Sequence, residues 1–112
     1  MAVYVELFMD QGADFSTTIN IADENSGLSQ NLDGMIVESY MKKSILSQNA
    51  AAFFDCSVPD PTDGDIVISI DAANTALINP GTYVFDIRTT QSGVTKRLIE
   101  GLVIVSPAIT KD

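Results

Sequence analysis

The feature that most constrains this chain is alternation. Apolar residues fall on every second position through a series of short stretches, which is the spacing of a strand with one buried face. In VYVELFM (3–9), Val3, Val5, Leu7 and Met9 share a face, and Tyr4, Glu6 and Phe8 share the other. In DFSTTINI (14–21), Phe15, Thr17, Ile19 and Ile21 line up against Ser16, Thr18 and Asn20. GMIVESYMKKSIL (34–46) sets Met35, Val37, Ser39 and Met41 against Ile36, Glu38, Tyr40 and Lys42. A helix is drawn as readily through Met35, Glu38 and Lys42, but charges that alternate with apolar residues favour a strand. AAAFFDCSV (50–58) sets Phe54, Cys56 and Val58 against Phe53, Asp55 and Ser57, and DIVISI (65–70) gathers Ile66, Ile68 and Ile70. TYVFDIRTT (82–90) points Tyr83, Phe85 and Ile87 inward, and VTKRLIEGLVIV (94–105) makes the last strand.

Turn chemistry separates these stretches. Asp10-Gln11-Gly12, Thr62-Asp63-Gly64 and Gln91-Ser92-Gly93 read as turns, the last as a hairpin. The polar run ADENSGLSQNLDG (22–34) reads as a long turn region. Pro59-Asp60-Pro61 and Pro107 end strands because proline cannot donate to a ladder. Asp71 before Ala72 and Ala73 predicts one capped helical turn, stopped at Pro80-Gly81. Gly101 inside the last strand predicts a bulge or a close backbone approach. About seven strands at close spacing predict a single all-β domain over residues 1–112, an antiparallel sandwich or barrel with one short helical turn.

Composition narrows the function classes. Histidine is absent, which removes the commonest general base and transition-metal ligand together with Ser-His-Asp and Cys-His catalysis. The one cysteine, Cys56, makes no internal disulfide and no cysteine-based zinc site, and its alternation with Phe54 and Val58 reads as a small buried hydrophobe. A net charge of -9, with cations only at Lys42, Lys43, Arg88, Lys96, Arg97 and Lys111, argues against nucleic-acid binding and against an anionic membrane surface. No run of about 18 apolar residues is present to span a bilayer, and the acidic start MAVYVELFMD lacks the basic region of a secretory signal. Asp60 to Asp65 has the carboxylate spacing of a calcium loop, yet a full loop would place oxygen ligands where Gly64 stands. Fifteen acids in 112 residues make close carboxylate pairs inevitable, and so small a domain has little room for a substrate cleft. The expectation is a protein that is not an enzyme, with no cofactor, metal or small-molecule substrate.

What remains is contact. Tyr4, Phe8 and Tyr40 fall on the outward face of the alternation, as do Val84, Leu98, Leu102 and Ile104. These seven residues are the candidate partner interface, apolar positions that a neighbouring subunit would cover. Edge strands add a second docking mode, strand addition. In the last strand Arg97 and Glu100 lie near each other, and Glu100 could pair with Arg88 on a neighbouring strand, but two solvated side chains are the favoured reading.

Three stretches resemble one family. VELFMDQGADFSTTINI is similar to the strand, (D/E)QGxxF, strand opening of small phage virion domains. NLDGMIVESYMKKS is similar to their xLxGxxxxxxxRKS strand, with Lys42, Lys43 and Ser44 at the basic pair and serine. IDAANTALINPGTYVFDIRTTQSGVTKRLIEGLVIVSPAIT resembles their close, a short helix followed by PGxYVYD and RxxEGxVxV. The chain thus resembles tailed-phage virion structural proteins, in particular the immunoglobulin-like N-terminal domain of baseplate upper proteins. That resemblance implies an immunoglobulin-like β-sandwich docking onto a tail, baseplate or fibre assembly in several symmetric copies. Its partners would be other virion proteins, and it would reside in the phage particle after assembly in the host cytoplasm. A capsid decoration protein is the alternative within the same setting. A host-surface carbohydrate-binding module is the third; its aromatics would sit in loops, and here they sit in strands.

Overall fold

A computed structural model describes residues 3–21, 34–44, 46–60 and 64–109. Seven strands and one helical turn follow in order: β1 (Val3–Asp10), β2 (Phe15–Asn20), β3 (Ile36–Lys42), β4 (Ala52–Ser57), β5 (Asp65–Ile70), α1 (Ala72–Thr75), β6 (Gly81–Gln91) and β7 (Val94–Ser106). The alternation sets the faces as expected. Leu7, Met9, Met41, Ile66, Ile68, Ile70, Tyr83, Phe85, Ile87, Ile99, Val103 and Val105 form one buried cluster. The helical alternative over 34–46 is excluded, since residues 36–42 form β3 with Ser39 and Met41 buried. The polar run 22–33, the calcium-like loop at 61–63 and the tail beyond 109 lie outside the described residues.

The strands form one mixed sheet in the order β1-β7-β6-β3-β4-β5-β2. The prediction of an all-β, seven-strand domain with a short helix therefore stands, and its antiparallel pairing needs correction. The sheet is mixed, because β1 runs parallel to β7 from Val3↔Ile99 to Asp10↔Ser106. Period two fixes which side chains face inward but carries no pairing direction, so this was not legible. Two limbs of the sheet share one strand. Within β4, Ala52–Phe54 pairs with β3 and Asp55–Ser57 pairs with β5. The strand turns a corner and makes the sheet continuous and nearly barrel-shaped. Phe54 sits at that corner, its ring 5.9 Å from Phe15 and 6.0 Å from Phe85, so one side chain packs against both limbs of the sheet.

Two local predictions resolve. Gly101 marks the close approach: a Cβ there would overlap the Val5 carbonyl of the neighbouring strand. The bulge lies elsewhere, where Ile87 pairs with Ile99 but Arg88 pairs with Arg97, leaving Leu98 as the extra residue. The hairpin loop is Ser92-Gly93 alone, closed by Gln91↔Val94, with φ of 52° and 80°. Positive φ at both central residues is the geometry that matches the twist of the flanking strands.

One pole of the molecule is fastened by side chains. The Asp71 carboxylate accepts from the Asn74 amide at 3.0 Å and caps α1 as expected. The turn after β1 then packs on α1: the Gly12 amide donates to Thr75 Oγ1 at 3.0 Å, and that hydroxyl donates to the Ala13 carbonyl at 2.9 Å. Asp14 accepts from the Ala72 amide, and the Gln11 amide group donates to Ile78 and accepts from Ala108. Thr75 is fully buried, and these bonds satisfy its hydroxyl. At the start of β6 the Tyr83 hydroxyl donates to the Asn79 carbonyl at 2.6 Å, a tyrosine-corner arrangement, and the Lys43 ammonium lies 4.8 Å from the Tyr83 ring.

Candidate functional site: the outer face of β1, β7, β6 and β3

The side chains that alternate with the core project from the other side of the same four strands. The register lays them out in rows. Phe8, Ile104 and Thr82 make one row; Glu6, Leu102, Val84 and Lys42 make the next; Tyr4, Glu100, Asp86, Tyr40 and Phe53 make the third. A shallow concavity of about 460 Å³ runs over the lower rows, lined among others by Tyr4, Tyr40, Val84, Leu102, Asp86 and Arg97. Four of the seven candidate interface residues, Tyr4, Tyr40, Val84 and Leu102, thus line one depression. Phe8 and Ile104 lie on the same face beyond it, toward the far end of β1 and β7. Leu98 departs from the group. The bulge turns it from the simple alternation, and it packs half-buried against the core.

Sequence reasoning passed over Phe53 and Ile36, which are 65% and 63% exposed on the outer side. Phe53 was legible as the partner of Tyr40 only once β3 and β4 were known to pair. The two rings meet edge-on at 4.8 Å and 88°. Aromatic residues therefore stand at both sides of the face, Tyr4 and Phe8 on β1 and Tyr40 with Phe53 on β3 and β4.

Charge fills the centre. Asp86 and Glu100 sit directly opposite across β6 and β7, an arrangement that alone would repel. Arg97 lies between them, 3.1 Å from Asp86 and 3.3 Å from Glu100. Glu100 and Arg88 do not pair with each other. Arg88 is directly opposite Glu38 on β3 and pairs with it at 3.3 Å instead. Tyr40 donates to Glu38 at 3.1 Å, and this hydrogen bond and the carboxylate charge raise its phenol above the ordinary value. The Tyr4 phenol is also raised, by partial desolvation and by the Glu6 carboxylate.

Residues that carry the sequence resemblance have structural roles in the fold around this face. Arg97, Glu100 and Gly101 supply the ion pair and the close approach to β1, and Tyr83 supplies the corner hydrogen bond. Cys56 lies away from this face, half-buried and packed against the core. Burial, with Asp55 and Glu38 adding, pushes its thiol up to about 11. Among the described residues no group of three metal-ligating side chains gathers. What the face offers is contact area, paired charges and exposed aromatic rings.

No protein-family model matches the sequence, and no curated protein matches it. Among solved structures the fold is similar to the N-terminal domain of phage TP901-1 ORF48, with a TM-score of 0.53 over 91% of this chain and 85% of that one. The two sequences are 15% identical, so the likeness is one of fold.

Proposed function

We propose that this chain is a non-enzymatic structural part of a phage particle, docked onto a tail, baseplate or fibre assembly through the outer face of β1, β7, β6 and β3 and through its strand edges. The observation that carries this reading is the outer face. Phe8, Phe53 and Tyr4 are 69%, 65% and 56% exposed, around a centre whose charges are paired with one another. Exposed aromatic rings beside carboxylates that each hold an arginine suit a surface that another protein covers. The fold likeness to a phage N-terminal domain supports the phage setting. The sequence resemblance to baseplate upper proteins supports the tail end of the particle. An immunoglobulin-like arrangement is the finer fold reading, favoured by the Tyr83 corner and by β4 as a strand shared between two limbs. Its partners are other virion proteins, met in several symmetric copies.

The test is fractionation of particles of the phage that encodes the chain. Heads and tails are separated on a density gradient and digested for mass spectrometry. Peptides of this chain are expected with the tails. Recovery with the heads replaces the tail reading by capsid decoration, and recovery in neither fraction overturns a virion role.

A further inference from the structure

The sheet order ends at β1 on one side and at β2 on the other, and these two strands are joined by the short turn Gln11–Asp14 without pairing to each other. Between them lies a slit of about 400 Å³, whose walls include Glu6, Leu7, Phe8, Asp10, Asp14 and Phe15. We infer that this slit receives an extended, basic segment of a partner protein, added as a strand along the free edge of β1. The inference deepens the docking role proposed above and rests on it only for the partner being a protein.

Backbone geometry identifies the free groups. The Gln11 amide donates to the Ser106 carbonyl of β7 at 2.9 Å. Backbone groups alternate sides along a strand, so Val5, Leu7 and Met9 also turn theirs toward β7. Tyr4, Glu6 and Phe8 then turn their N–H and C=O groups out to the open edge. By the same alternation, the Ile21 amide bonded to Gly64 at 2.8 Å turns Ser16 and Thr18 outward from β2.

Among the described residues, no strand pairs with the outer edge of β1. Natural edges are blunted by lysine, proline, bulges or shortness. β1 is eight residues long, VYVELFMD, has neither lysine nor proline, and keeps its register with β7 throughout.

Charge selects the occupant. Glu6, Asp10 and Asp14 flank the slit, and among the described residues no lysine or arginine lines it. A second copy pairing edge to edge would set Glu6 against Glu6 and bring together two chains of net charge -9. A foreign strand with lysine or arginine opposite Glu6, and apolar residues opposite Tyr4 and Phe8, meets no such repulsion and covers two exposed rings.

The experiment titrates the full chain with the soluble peptide Lys-Thr-Val-Thr-Lys-Thr-Val-Thr-Lys while amide hydrogen exchange is followed by NMR. The amides of Tyr4, Glu6 and Phe8 are expected to slow by about tenfold or more on saturation, as amides entering a ladder do. The same peptide with glutamate for lysine is expected not to bind, and added salt is expected to weaken the lysine peptide. Phe8→Pro removes one outward N–H without touching the β7 ladder, and is expected to weaken binding about tenfold while the thermal melt stays cooperative. If that variant does not fold, a peptide N-methylated along its pairing edge makes the same test on the unaltered chain. No binding, binding without protection at these amides, protection at Ser16 and Thr18 instead, or equal binding of the glutamate peptide each overturns the inference. None of these results touches the outer-face reading, which particle fractionation decides separately.

Discussion

The two sides of the β1-β7-β6-β3 surface are built from the same strands and the same register, yet they differ in what they accomplish. The inner side is closed by the chain itself: Met41, Ile87 and Val103 have no exposed surface. The outer side holds residues as large and as apolar, Phe8, Tyr4 and Ile36, and nothing among the described residues covers them. An inner side chain is therefore there for stability, because burying apolar area is the dominant favourable term in folding. An outer one contributes little until a partner arrives. The difference shows why apolar content alone says nothing about role, while the face on which a residue falls says a good deal.

The comparison breaks most visibly by emptying the inner side. Ile87→Ala leaves a cavity among fully packed neighbours and is expected to cost about 3 kcal/mol in urea unfolding. A cost no larger than that of an outer substitution would end the distinction. Gly101→Ala is expected to cost about 3 kcal/mol or more, since its Cβ overlaps the Val5 backbone, which can move aside only by opening the β1–β7 pairing, and to raise hydrogen exchange along β1 ahead of β6. Arg97→Ala leaves Asp86 and Glu100 facing each other uncovered. The expected loss is about 1 kcal/mol at low ionic strength, and it shrinks in high salt because all three groups are solvent-exposed enough to be screened. Phe53→Ser on the outer side removes the edge contact with Tyr40 and is expected to cost the isolated chain about 0.5–1 kcal/mol, its larger effect belonging to partner binding. The last change concerns Cys56. Its thiol titrates at about 11 in the folded chain against an ordinary 9.0. The unfolded chain therefore loses that proton first as pH rises. The contribution is fully present below pH 9 and is lost as pH climbs through about 11. A thiol-reactive dye at pH 8 is expected to label the folded chain more slowly than the urea-unfolded one, and equal rates would refute the raised value.

Much of this was written in local spacing. Alternation placed Leu7, Met9, Met41, Phe54, Ile68 and Phe85 inside and Tyr4, Phe8 and Tyr40 outside, because the pleat of a strand sends neighbouring side chains to opposite faces whatever the strand pairs with. Capping by Asp71 was equally local, since a carboxylate three residues before a free amide needs no distant partner. The ion pairs were only half legible. Arg97 with Glu100 is a contact within one strand, whereas Arg88 with Glu38 spans 50 residues and exists only because β3 lies beside β6. Leu98 is half-buried beside a one-residue bulge that breaks the pairing, and no single residue announces it.

The amino-acid order by itself determined that the chain makes strands, which side of each is apolar, and where most of them stop, because those properties depend on neighbours one to four residues apart. Tertiary structure alone decided that β1 joins β7 in parallel, that β4 turns the corner, and that β1 and β2 are left as open edges. Those outcomes are set by which strands find each other over long stretches of chain, a competition among pairings that leave the same alternating faces and so the same local pattern.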